Sequence, residues 1–415
     1  MHKIVTIFLL SIISSRLVAQ DMNAPYSTYG VGDLEQRYYD RSIGMGNSSV
    51  SLMSTQHFQF LKNPASLSGL ERSNLYFNLA LVGKTVTYSG NPISSANNNS
   101  KDFSIKSFSI ATKLNNYWAS SLGFMPFSYV GYLYNATKTI EGSNDTYNAS
   151  YEGDGGLYNV YWNNAFAIGK HFSVGVRSSF IFGSINQTET LSGDALTASI
   201  ATKNQDYYHQ FRFEYGGIYQ GNISKNWKLG LGGKITTRTK LQSERTQTIT
   251  EGTAAIKTNE PVASDPFYLP VSYDAGLSLT HKNRMTLAVD YSYQPWTDTK
   301  QGGNSWTLID SRRLSAGVQF SNQVEQWGHR FEKNYWQAGV FSNNSYLRVH
   351  NTPINEIGAS VGYGSYLTGN LFYGISVEAG RRGTINNGLI KENYVQATFT
   401  LSLREFLYSK GIKYN

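Results

Sequence analysis

Along most of the chain, apolar and polar residues alternate one by one. The clearest run closes the sequence: Val395, Ala397, Phe399, Leu401 and Leu403 fall on one face, and Tyr394, Gln396, Thr398, Thr400 and Ser402 on the other. Successive strand residues point to opposite faces, so this segment predicts a strand with one apolar and one hydroxyl- and amide-bearing side. Similar segments recur from Asn74 onward, separated by turn signals such as Gly221-Asn222, His281-Lys282-Asn283, Gly369-Asn370 and Asn387-Gly388. About fourteen such segments are present, an even number that suits a transmembrane antiparallel β-barrel. Residues 135–155 and 186–206 are expected to prolong strands into outer loops. No repeat of fixed period appears, which disfavours a solenoid or propeller.

The start of the chain reads differently. His2-Lys3, the apolar run Ile4–Ile13 and Leu17-Val18-Ala19 predict a secretory signal peptide over residues 1–19, cleaved before Gln20. Its apolar run is shorter than the ~20 residues a spanning helix needs. Residues 20–72 alternate poorly and hold Gly30-Val31-Gly32-Asp33, Arg41-Ser42-Ile43-Gly44-Met45-Gly46 and Asn63-Pro64-Ala65. They predict a compact irregular segment, with Asn63 capping a short helix from Pro64 through Ala65 to Leu70. Residues 73–415 are assigned to the barrel, whose lumen this segment would plug as a hatch. Within the third strand, Trp118–Tyr132, Pro126 interrupts the alternation. Proline cannot donate to a strand ladder, so Pro126 marks a bulge or a kink that leaves a gap in the wall.

Composition agrees with an exported barrel. Only 15% of residues are charged, while aromatics reach 14%, with 30 Tyr. Tyrosine suits a membrane interface, where the ring is apolar and the hydroxyl stays wet. The absence of cysteine excludes disulfides, thiol catalysis and a lipid anchor on cysteine. The net charge of +8 includes Lys3 and Arg16 of the leader and forms no basic cluster with interleaved aromatics, so nucleic acid is not an expected partner. No catalytic constellation, metal site or cofactor motif emerges, and no enzymatic role is expected. His209 is the one histidine among polar neighbours of a strand, without a second at metal spacing. Gly230–Lys234 lacks the spacing of a phosphate loop and reads as strand glycine. Glu152-Gly153-Asp154-Gly155-Gly156 reads as a turn, not as a calcium loop.

Together Tyr26–Leu34, Arg41–Gly46, Asn63–Ala65, Met125-Pro126-Phe127-Ser128 and the closing strand with Phe406 and Lys413-Tyr414 resemble the FadL/TodX family of outer-membrane transporters, in a variant similar to that of Bacteroidetes. The resemblance implies a fourteen-stranded barrel with an N-terminal hatch and an inward kink in the third strand. It implies passive uptake of hydrophobic compounds such as long-chain fatty acids, with hatch rearrangement and lateral release into outer-membrane lipid at the kink. The chain departs from the pattern in running past the last strand to Asn415 rather than ending on an aromatic. The alternative is a PorV-like barrel, a structural or shuttle component with a secretion-machinery partner.

Overall fold

Strand alternation closes on itself in the computed structural model, which describes residues 24–55, 58–91, 93, 98–139, 146–193, 196–326, 329–368 and 370–407. The expected leader and the last eight residues lie outside these. The barrel is antiparallel, with 14 strands. They are β1 (Asn74–Gly90), β2 (Asn99–Lys113), β3 (Trp118–Thr139), β4 (Thr146–Ile168), β5 (Phe172–Ser192), β6 (Ile200–Asn222) and β7 (Trp227–Thr236). The circle continues with β8 (Ser272–His281), β9 (Met285–Gln294), β10 (Ser311–Gln326), β11 (His329–Asn344), β12 (Glu356–Thr368), β13 (Leu371–Gly383) and β14 (Ile390–Phe406). β14 pairs with β1 from Asn74↔Phe406 to Gly90↔Ile390, which closes the barrel.

The expected facing of β14 holds. Val395 is 54% exposed on the outside, whereas Gln396, Thr398 and Ser402 are buried within. Outward positions elsewhere carry large apolar residues, among them Leu122, Trp162, Phe211, Leu314 and Val361. Short turns mark one end, which by the general rule for such barrels is the inner one.

Strands β3 to β6 run beyond the barrel at the other end, as residues 135–155 and 186–206 predict. A further hairpin, Thr239–Glu251 with Ala254–Val262, prolongs this outer sheet by pairing with β6, although its polar sequence gives no membrane-strand pattern. The outer end is capped by a small sheet of Trp306–Leu308, Leu347–Val349 and Thr352–Pro353. Trp296 packs there on Tyr346, with ring centroids 4.8 Å apart.

The third strand breaks at its proline. β2 pairs with β3 only from Phe108↔Phe124 to Lys113↔Ala119. The register of β3 against β4 shifts between Pro126 and Ser128. Beyond that point β3 takes its bonds from the N-terminal segment: Ser128 and Tyr129 pair with Leu34 and Asp33, and Glu35 N–H donates to the Phe127 carbonyl at 2.9 Å. The Glu152–Gly156 stretch, expected as a turn, lies inside β4 opposite this bend. Gly155 and Gly156 take φ of +105° and +152°, a region that favours glycine, so the second strand can follow the bend of the first.

Candidate functional site: the contact between N-terminal segment and barrel wall

Residues 24–55 and 58–70 lie among inward-facing side chains of strands on opposite sides of the barrel. Their order is set by short 3-10 turns, Pro25–Thr28, Arg41–Met45 and Pro64–Gly69. The helix expected after Asn63 is the last of these, tighter and one residue shorter than an α-helix ending at Leu70. Asp40 caps the second turn. Its carboxylate accepts from Ser42 N at 2.7 Å and from Leu61 N at 2.6 Å, tying two stretches of the segment together. Burial pushes the Asp40 carboxyl above its ordinary value, against those donors and the nearby Lys62 charge. Apolar contacts reinforce the polar ones. Leu67 and Leu70 pack on Tyr76, Ala111, Ala119 and Ala165 near the inner end, and Tyr39 and Ile43 pack on Ala80 and Val82.

The residues singled out in sequence serve three separate contacts. Gly30 and Gly32 both take positive φ in one bend of the segment. Gly32 has φ +88° and lies so close to the Tyr129 carbonyl that a β-carbon would overlap it. Asp33 holds Arg382 of β13, with an Nη2–Oδ1 distance of 2.8 Å. Gly44 and Gly46 press the second turn against β11 and β12; Gly46 donates to Ser360 Oγ at 2.9 Å. On the opposite wall, Asn63 accepts from Ala65 N at 3.0 Å. Its amide donates to the carbonyls of Val50 at 2.8 Å, Gly217 at 3.2 Å and Gly233 at 3.2 Å. Pro64 and Ala65 lie against Gly175 and Gly216. Pro126 stands apart from these, at the wall break.

The strongest links come from charged residues that the sequence reading did not single out. Arg37 binds Glu356 at 2.6 Å and Glu378 at 2.7 Å, and donates to Tyr394 Oη at 2.8 Å. Burial works against the Arg37 cation, yet the two carboxylates outweigh it and hold the group well above its ordinary value. Lys62 binds Asp290 at 3.0 Å, and that carboxylate also accepts from Ser49 N at 2.7 Å and Val50 N at 3.0 Å. Arg41 pairs with Glu332, and its guanidinium lies 3.9 Å from the Tyr335 ring centroid. Their signal was present in sequence: charged residues at inward positions of strands whose other inward positions are mostly Ser, Thr, Gln and Gly.

Register explains why these charges meet. Lys234, Asp274, Ser292, Arg313 and Asn343 lie directly across from one another on β7 to β11. Glu356, Arg382 and Glu392 extend the same ring over β12 to β14. The segment 33–38 runs past this charged ring. Two cavities flank it, of about 90 Å³ and about 130 Å³, and both are lined largely by charged and polar groups. Above the ring Val31, Val130, Ile181, Leu269, Trp296 and Leu347 form one buried apolar cluster. The chain's own side chains therefore fill this part of the lumen.

Fold and lumen together define a FadL/TodX-type barrel with an internal N-terminal segment. The P. putida toluene transporter TodX is similar in fold, with TM-score 0.59 and 14% identity over 91% of this chain and 100% of that one. A Pseudomonas aeruginosa FadL homologue gives 0.60 and 12% over 91% and 100%. The Ralstonia pickettii toluene transporter TbuX gives 0.57 and 12% over 89% and 98%. No curated protein matches in sequence. The BamG family model matches residues 1–415, and the chain belongs to the BamG family. The FadL/TodX resemblance thus holds for the fold, whereas the family is BamG.

Proposed function

We propose that this protein is a sealed outer-membrane barrel that acts as a structural subunit of a machinery for outer-membrane protein assembly or export. One observation carries the reading: the lumen is closed by ion pairs between the N-terminal segment and the wall, with Arg37, Arg41 and Lys62 each bound to a strand carboxylate. The described part of the N-terminal segment, residues 24–55 and 58–72, acts as the fixed filling of the barrel, and Asn63-Pro64-Ala65 is its wall anchor. A hydrophobic solute finds charged cavities and a filled apolar cluster here, an environment that penalises it. The outward surface and the outer extension of β3 to β6 remain for partners.

A second reading is a channel for hydrophobic compounds such as fatty acids, with rearrangement of the segment and lateral release. The break at Pro126 favours it, together with the fold shared with toluene transporters. Asp102 and Lys106 beside that break weigh against an apolar exit.

Depletion separates the two. The assembly reading expects reduced amounts of other folded outer-membrane barrels and a partner that copurifies in mild detergent, with unchanged uptake of a labelled fatty acid. Uptake that falls while barrel assembly stays normal would refute it. Under the channel reading, Pro126→Val restores a donor to β3 and slows delivery at equal surface amounts.

A further inference from the structure

The larger cavity holds more positive than negative charge. Arg37, Lys62, Arg212, Lys234 and Arg313 line it, against Glu35, Glu214 and Asp274. Most of the cations are matched: Arg37 by Glu356 and Glu378, Lys62 by Asp290, and Lys234 by Asp274 at 3.3 Å and Glu214 at 3.5 Å. Two guanidiniums make no direct salt bridge among the described residues, although Glu214 and Asp274 lie near Arg212 and Glu356 and Glu378 near Arg313. Arg313 is 5% exposed, and its Nε and Nη1 have no hydrogen-bond partner; only Nη2 bonds, to the Gly46 carbonyl at 3.2 Å. Arg212 bonds the backbone carbonyls of Thr237 at 3.4 Å and Pro270 at 3.2 Å, and forms no ion pair among the described residues.

A buried guanidinium with unmade donors is disfavoured, so Arg313, whose Nε and Nη1 are unpartnered beside the cavity, has reason to take an oxyanion there. The half-buried Arg212 adds a second guanidinium to the same lining. Guanidinium is planar and matches an oxyanion through paired N–H donors, which a point charge such as lysine does not. The cavity has room for more than one water-sized particle at about 130 Å³. Ser272 and Ser311 line it too and can donate to an oxygen-rich anion, whereas the Ser292 hydroxyl is given to Asp274. It also reaches Met125-Pro126-Phe127, at the break in the wall.

We propose that Arg212 and Arg313 form a phosphate-binding site inside the barrel, at the level of the charged ring. The shared chemistry is a phosphate group, which arrives either as inorganic phosphate or on a phosphomonoester lipid through the break at Pro126. The site goes beyond the assembly reading and stands whichever role the barrel has.

The test is thermal unfolding of the full chain in phosphate-free detergent, titrated with inorganic phosphate against chloride at matched ionic strength. A ligand that binds only the folded form raises the melting temperature with its concentration. Wild type is expected to respond to phosphate and not to chloride. Arg313→Met is expected to fold at least as well without phosphate, because it removes a buried guanidinium with two unmade donors, and to bind phosphate roughly 10- to 100-fold more weakly. Arg212→Gln is expected to weaken the response in the same direction. A parallel arm with lysophosphatidic acid reads the source: lipid response with Pro126 intact and loss on Pro126→Val assigns entry from the membrane, whereas equal inorganic response in both assigns free phosphate. A chloride response equal to that of phosphate overturns the proposal, as does a phosphate response unchanged in Arg313→Met. Arg313→Met that is less stable than wild type, with no phosphate response in either, overturns it as well.

Discussion

Truncating Asn63 to alanine tests how the N-terminal segment is held. The side chain is completely buried and makes four hydrogen bonds, one as acceptor from Ala65 N and three as donor to Val50, Gly217 and Gly233 carbonyls. Losing the cap costs about 0.5–2 kcal/mol, and leaving the short bond to the buried Val50 carbonyl unmade adds about 1–3, for a combined cost of about 1.5–5 kcal/mol. The cost falls on the contact between segment and wall, because the barrel ladder itself is intact. A local opening weakened by that amount becomes roughly 10- to 5000-fold more frequent. Single-channel recording in planar bilayers and protease cleavage within residues 24–72 both read the opening. Asn63→Asp separates the two halves of the argument. It keeps the cap acceptor, loses both amide hydrogens and sets a negative charge against three carbonyls, so it is expected to behave like Asn63→Ala. If Asn63→Asp matches wild type, the bonds to Gly217 and Gly233 hold nothing. If Asn63→Ala shows wild-type conductance and cleavage, the anchor reasoning is wrong altogether.

Phe399→Arg, in the middle of β14 on its outward side, is expected to cost about 2–4 kcal/mol of folding into vesicles, and Asn393→Arg near the outer end about 0–1; equal costs would refute the membrane placement of β14. Arg37→Ala leaves Glu356 and Glu378 facing each other without their cation, and is expected to cost about 3–5 kcal/mol by chemical denaturation, with Glu356→Gln plus Glu378→Gln recovering part of it. Deleting residues 24–72 is expected to leave a barrel that still inserts, with increased ion conductance; unchanged conductance would mean that this segment does not occlude the pore.

The barrel was legible because lipid imposes a strict rule. Every second residue of a spanning strand must be apolar, and Val395 to Leu403 show that rule without exception. Pro126 was legible for a covalent reason, the missing donor. The outer hairpin Thr239–Val262 was not, because strands clear of the membrane need no apolar face, and stretches such as Gln242–Thr250 read as polar loop. Asn63 announced its cap through Pro64, but nothing local foretold its bonds to Gly217 and Gly233, more than 150 positions away. The ion pairs were hidden for the same reason. Glu378 sits in Ile375-Ser376-Val377-Glu378-Ala379, where it reads as one more polar inward residue until the register brings Arg37 to it.

A fold used elsewhere by transporters of toluene invites the thought that this lumen opens in the same manner. The energies argue otherwise. Withdrawing the segment separates Arg37, Arg41 and Lys62 from their carboxylates. A charge left buried and unpaired costs about 3–5 kcal/mol, so Glu378 and Asp290, nearly inaccessible in the wall, oppose withdrawal to the extent that they stay dry in the opened lumen. A small ligand held at micromolar affinity supplies about 8 kcal/mol in total, and only its preference for the open form counts toward opening. Such a ligand moves a few residues near the break at Pro126, not the whole segment. A protein partner engages a far larger surface, and its differential contacts are on the scale that the closed lumen requires. The buried ion pairs therefore favour the docked arrangement of segment and wall over withdrawal of the whole segment.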